Sequence, residues 1–180
     1  MNKTELIALL ETKHQTFIEL MEGLSAADFE KQVAGKWTPG QQLEHILRSV
    51  SPVSLAFSLP GFILRLVFGK ANRPSRSYEE LVAKYHAALQ KGGKASGRFE
   101  VKSPVPIQNR NSLVTALKRT VLQLSRLSTN KSETALDNYI LPHPLLGKLT
   151  LREMLYFTAY HVQHHQCSVQ DIVTTQTETT

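Results

Sequence analysis

The sequence predicts an all-α protein, a four-helix bundle with a loop and short helix inserted between the second and third long helices. Three observations lead there. Apolar residues recur at three- and four-residue spacing over four long stretches. Most of those stretches open on a recognisable helix-start signal. Only one stretch, Phe99-Glu100-Val101-Lys102, shows a hint of two-residue alternation, so it is expected to form one short extended piece. At 180 residues the chain suits one domain with a proper core. No internal repeat is visible.

The start signals are capping boxes. Asn2 stands three before Glu5, Thr38 three before Gln41, Ser77 three before Glu80 and Thr150 three before Glu153. In each pair two side chains can satisfy backbone N–H groups that a first helical turn leaves unpaired. Pro39 follows Thr38, where its missing N–H costs nothing.

The first helix is expected from about Lys3 to Leu24, with Leu6, Leu9, Leu10, Phe17, Leu20, Met21 and Leu24 at helical spacing and Gly23 loosening its end. The second runs from Pro39 to about Pro60, with Pro52 as a bend. An insertion of some fifty residues follows (61–110), with a short helix from Tyr78 to Gln90 and then Gly92, Gly93, Gly97, Pro104 and Pro106. Leu113, Leu117, Val121, Leu124 and Leu127 mark a third long helix from Ser112 to about Ser128. The fourth follows Thr150 and continues to about Val173. One domain therefore covers residues 1–173, and 174–180 form a flexible tail.

Charge is uneven. The formal net charge is +6, yet residues 61–110 hold ten Lys or Arg against three acids while the rest of the chain is nearly neutral. Such a segment either attracts an anionic ligand or is a solvated insertion, and the absence of interleaved aromatics favours the second. Nucleic acid is not an expected partner. The single cysteine, Cys167, excludes an internal disulfide and fits a reducing compartment. Charges in the first residues do not suit a secretory signal. The most membrane-like stretch, Val53 to Phe68, is too short to span and contains Pro60 and Arg65. A cytoplasmic protein without a membrane partner is expected. Its Phe57 to Phe68 region is a candidate contact for a homodimer.

Among seven histidines, His161 and His165 stand four apart on the stripe shared by Leu151, Met154, Thr158, Val169 and Ile172. At about 100° per residue that stripe faces the bundle interior, and two imidazoles one turn apart can reach one ion. His164 points to the side. His45 lies two turns into the second helix, away from the apolar stripe of Leu43, Ile46, Leu47 and Val50, among Gln41, Gln42, Ser49, Pro52 and Ala56. Small and polar neighbours inside a bundle suggest a cleft. Three neutral imidazoles with an open position match a catalytic zinc-type site, and nitrogen ligands also accommodate nickel, iron(II), cobalt or manganese. His14 is placed in the core or at a cavity wall, where it is the nearest candidate for a fourth ligand. His86 is expected at the surface and His143 in a structural turn. Cys167 lies far from the inward stripe.

These residues resemble the DinB-like superfamily of metal-binding four-helix bundles. The matching pieces are Trp37-Thr38-Pro39-Gly40-Gln41 leading into Leu43-Glu44-His45, then His143 through Thr150, then His161 with His164-His165. In the family one histidine comes from the second helix and two, four apart, from the last. The resemblance implies the same ligand set here: His45, His161 and His165 around a divalent Zn, Ni, Fe or Mn ion. Family members often carry Gln three residues after the last ligand, where this chain has Ser168. The superfamily includes S-transferases and isomerases that use low-molecular-weight thiols. The expectation is a metal-dependent enzyme, a thiol S-transferase or a hydrolase, with Gln41, Ser49 and Tyr160 as substrate contacts. No carboxylate base accompanies the ligands, since Glu44 points elsewhere on its helix. The alternatives are a non-catalytic metal-binding bundle, closed by a fourth protein ligand, and an anionic-ligand module built on the basic insertion.

Overall fold

The computed structural model describes residues 1–175. All four capping boxes form in both directions, side chain to backbone and back again. They open α1 (Lys3–Gly23), α3 (Pro39–Ser58), α5 (Tyr78–Gln90) and α8 (Leu151–Thr174). The third long helix of the bundle, α6 (Arg110–Thr129), instead continues from a 3₁₀ turn at Ile107–Asn109. Two short helices are capped by serines: α2 (Ala26–Glu30) by Ser25 and α7 (Glu133–Asn138) by Ser132. Another, α4 (Gly61–Phe68), turns away from α3 by 116° at the Leu59-Pro60 break. Among the described residues no single helix is long and apolar enough to cross a membrane.

In the bundle α1 packs on α6 and α8, and α3 packs on the same two, so α1 and α3 occupy opposite corners. The core joins Leu6, Leu10, Phe17 and Met21 of α1 to Leu43, Ile46 and Phe57 of α3, with Leu117 and Leu124 of α6 and Val162 and Val169 of α8. Each presents one apolar stripe at helical spacing, and burial of those stripes drives the assembly. α3 runs through Pro52 unbroken. Gly40 permits the close approach at its start, since a Cβ there would lie 2.6 Å from the Phe29 ring and 2.9 Å from the Val105 carbonyl oxygen.

Three expectations are corrected. The extended piece is not at Phe99–Lys102; Gly97–Phe99 form a 3₁₀ turn. The sheet lies at β1 (Ile140–His143) and β2 (Gly147–Thr150), an antiparallel hairpin pairing His143 with Gly147. His143 makes its turn: Nδ1 accepts the backbone N–H groups of Leu145 and Leu146 at 3.1 Å, and Gly147 takes a left-handed φ of 73°. Second, Phe57 is fully buried, so only part of the Phe57 to Phe68 region is surface: Phe62, Leu66 and Val67 are exposed. Third, the insertion is not simply solvated. Its α5 packs on α8. Arg73 donates to the fully buried Glu153 at 2.6 and 2.9 Å, and the backbone N–H of Arg76 adds a bond of 2.8 Å. Burial alone would raise the Glu153 pKa, but these donors together with the Thr150 N–H hold it below the usual range. Of the expected tail, Thr174 closes α8; residues 176–180 lie outside the described part.

Candidate metal centre

His45, His161 and His165 come together. Their Nε2 atoms converge, His161 standing 3.2 Å from His45 and 3.2 Å from His165. Among the described residues they form one group of potential ligands, and all three are buried. α3 supplies His45 two turns after its cap, while α8 supplies the other two from consecutive turns of its inward stripe.

The opposite edges of the rings decide what those Nε2 atoms are. His45 Nδ1 lies 2.7 Å from the Phe99 carbonyl oxygen. A carbonyl only accepts, so Nδ1 carries the proton and Nε2 keeps its lone pair. His165 Nδ1 lies 2.8 Å from Gln42 Oε1, and the Gln42 amide nitrogen donates to the Trp37 carbonyl at 3.2 Å. His165 Nε2 is therefore a lone pair as well. His161 is held differently, its ring stacked on Phe157 at 4.8 Å. Trp37 covers the cluster, 4.9 Å from His45 and 6.4 Å from His165 between ring centres.

At most one proton on His161 can satisfy one of those facing lone pairs, which leaves the cluster short of positive charge. Two nitrogens about 2.1 Å from one tetrahedral ion stand about 3.4 Å apart. The observed 3.2 Å fits such an ion. Burial holds the pKa values of His161 and His165 well below the ordinary 6.5, with mutual repulsion among the rings adding to it. Burial also lowers His45, against the opposing Phe99 bond. All three are thus neutral near pH 7, the state in which imidazole binds a metal. The three side chains can hold a divalent cation.

The triad opens onto a cavity of about 650 Å³. His45, Gln42, Ser49, Pro52 and Ala56 line it as one face of α3, which is the side read from the sequence as cleft-like. Ser49 contributes to that wall, with its hydroxyl bonded to the His45 carbonyl at 2.8 Å. Gln41 does not reach the cavity: it bonds the Thr38 N–H and the Val101 carbonyl. Tyr160 is engaged with the exposed His86 at 2.6 Å. His164 lines the cavity but is not in the ligand group. His14 is not in it either; it is buried and bonded to the Leu10 carbonyl. Cys167 is exposed, and Glu44 pairs with Arg48. Ser168 stands at the cavity wall.

A family model for the DinB superfamily matches residues 9–167. The chain belongs to that superfamily. Among curated proteins none matches significantly. The DinB match takes in His45, His161, His165 and the insertion between α3 and α6.

Several residues of the site were not singled out in the sequence. Gln42 has a signal, since it precedes His45 by three and shares its stripe. The Phe99 carbonyl has none, because any residue type offers a carbonyl. Among the described residues Glu100 is the one carboxylate lining the cavity, and Tyr85 lines it too. Burial pushes the Tyr85 hydroxyl up to about 12, so it stays protonated.

Proposed function

We propose that this DinB protein is a cytoplasmic metal-dependent enzyme that activates a low-molecular-weight thiol and transfers its sulfur to a small electrophile. The observation that carries the reading is a triad of converging imidazoles, with no fourth protein ligand among the described residues, open to a cavity large enough for two small molecules. A structural site would be closed, so this geometry favours turnover over a merely stabilising ion.

His45, His161 and His165 hold the ion, whether zinc, nickel, iron or manganese. Bound there, the ion would supply the positive charge that turns a thiol into a thiolate nucleophile. Phe99 and Gln42 keep two of the rings in the tautomer that ligates. Lys36, Lys94 and Arg98 line the cavity against Glu100, the single acid among the described lining residues, and draw in a thiol that carries carboxylates. Glu100 accepts the thiol proton, and the hydroxyl of Tyr85 donates a hydrogen bond to the electrophile. The sulfur forms a bond to carbon as the leaving group departs with its electron pair. Trp37 and Phe157 exclude water from the rings they cover. The partner is a small molecule; a second copy of the chain meets the exposed side of α4, and a monomeric mass by light scattering would contradict that pairing.

The test is metal content of the purified protein and of His165→Ala, followed by thiol conjugation to a chromogenic electrophile. One ion per chain, lost in the variant together with conjugation, supports the reading. No metal under replete conditions, or conjugation that survives chelation, overturns it.

A further inference from the structure

The cavity is longer than the reaction just described needs. Gln42, His45, Ser49, Pro52, Val53 and Ala56 all line it, and they form one continuous stripe on α3. At roughly 1.5 Å rise per residue, the stretch from His45 to Ala56 carries the cavity about 16 Å beyond the first ligand. α8 keeps pace on the facing side with His165, His161, Phe157 and Met154.

The two ends differ in chemistry. Every charged residue of the lining, Lys36, Lys94, Arg98 and Glu100, lies on segments 35–37 and 94–100. Trp37 and Phe99 reach the cavity at the His45 end, through the Trp37 ring and the Phe99 carbonyl, and Lys36 and Arg98 adjoin them in sequence. The other end is lined by Val53, Ala56, Phe68, Leu141, Met154 and Phe157, with the His143 ring packed on Phe157 and kept neutral by burial; among the described residues no Lys, Arg, Asp or Glu is known to line it. Protein interiors seldom leave space of this size between apolar walls, because each unfilled contact forfeits dispersion energy. An apolar chamber kept open beside a ligand triad is built for an apolar occupant.

We infer that the electrophilic substrate carries an unbranched apolar chain, alkyl or alkenyl, which lies along α3 from Pro52 to Ala56 with its reactive head at the triad. The inference rests on the proposed function for the head group only; the chamber itself does not depend on the metal. The chemistry assigns a hydrophobic-tailed substrate of about a dozen chain atoms, given the 16 Å run, and not a short polar one.

The probes are n-alkanoates from propanoate to dodecanoate, titrated calorimetrically into metal-loaded protein. Affinity should rise roughly fourfold per methylene until the chamber is full and then level off. Ala56→Trp, which fills the chamber from a half-buried position, should weaken dodecanoate at least tenfold while leaving propanoate binding and metal content unchanged. Ala56→Leu, a milder filling, should move the plateau to a shorter chain, and it serves if the tryptophan variant does not fold. Affinity independent of chain length overturns the inference, as does an equal loss for short and long acids in both variants. The same titrations on chelated protein separate the two readings. Chain-length dependence without any metal binding would remove the proposed reaction and keep the chamber. Metal binding without chain-length dependence would do the reverse.

Discussion

His14 offers a direct measure of what a buried polar ring does to this bundle. It is 1% exposed. Its Nδ1 is 2.8 Å from the Leu10 carbonyl, and its Nε2 is buried with no hydrogen-bond partner. Burial pushes its pKa from 6.5 down to about 4, against a smaller opposing effect of the Leu10 bond. Unfolding releases the ring and restores the ordinary value. Between those two values the unfolded chain therefore binds a proton that the folded chain does not. Stability is complete above about pH 6.5, erodes as the pH falls, and has lost the whole contribution once the pH passes below 4. At ~1.4 kcal/mol per pH unit the full effect is about 3 kcal/mol, of which ~1.4 kcal/mol is gone by pH 5.5. His14→Leu removes both the titration and the unpartnered nitrogen while keeping an apolar side chain in place. It is expected to match or exceed the parent protein at pH 8, within about 1 kcal/mol. Its loss between pH 8 and 5.5 should be smaller by ~1.4 kcal/mol. Urea unfolding of chelator-treated protein at pH 8, 6.5 and 5.5 measures this, and the other buried histidines cancel because both proteins carry them. Parallel pH profiles would refute the reasoning. So would a leucine variant more than ~2 kcal/mol less stable at pH 8, which would mean that Nε2 makes a bond of its own.

Two other substitutions probe the supports of the site. Gln42→Leu removes the acceptor that fixes the His165 tautomer, and metal affinity should fall about 10- to 100-fold in chelator competition; unchanged affinity would assign the orientation to packing alone. Glu153→Ala strands the Arg73 guanidinium and frees the start of α8, and should cost about 3 kcal/mol by thermal or urea unfolding; a loss below ~1 kcal/mol would show that the insertion holds its place without this contact.

Much of the scaffold was legible because helix starts and stripes are local. Asn2 with Glu5 and Thr150 with Glu153 satisfy their own helix ends, so no distant residue is needed to read them. The convergence of the three histidines was legible for a related reason: His161 and His165 repeat at one turn, and His45 sits among residues too small and polar for solid core. What escaped depends on contacts remote in sequence. Ser25, three before Asp28, caps α2 by a local bond and is a readable signal of its own. The hairpin could not be read from alternation, because its four-residue strands are set by His143 folding back on Leu145 and Leu146. The reach of Phe99 to His45, 54 residues away, is a backbone contact that no side-chain pattern announces. Tyr160 and Gln41 looked available as polar residues on helices near the ligands, but each is already bonded to another part of the chain.

The basic insertion shows how a charge count can mislead until its partners are known. Ten Lys and Arg over residues 61–110 look like a surface for a polyanion. Yet Arg73 and Arg76 are spent on Glu153, Lys84 on the Leu146 carbonyl, and Arg110 on the Leu24 carbonyl. Those four tie the insertion to α8, to the hairpin turn and to the end of α1. Lys94 and Arg98, by contrast, line the cavity that the triad opens onto. The insertion therefore builds the site twice over: through the Phe99 carbonyl it sets the ring of His45, and through two cations it gives the entrance a sign. Anionic molecules small enough to enter should be drawn toward the triad at a rate that falls with added salt, while the bundle that holds the histidines is indifferent to it.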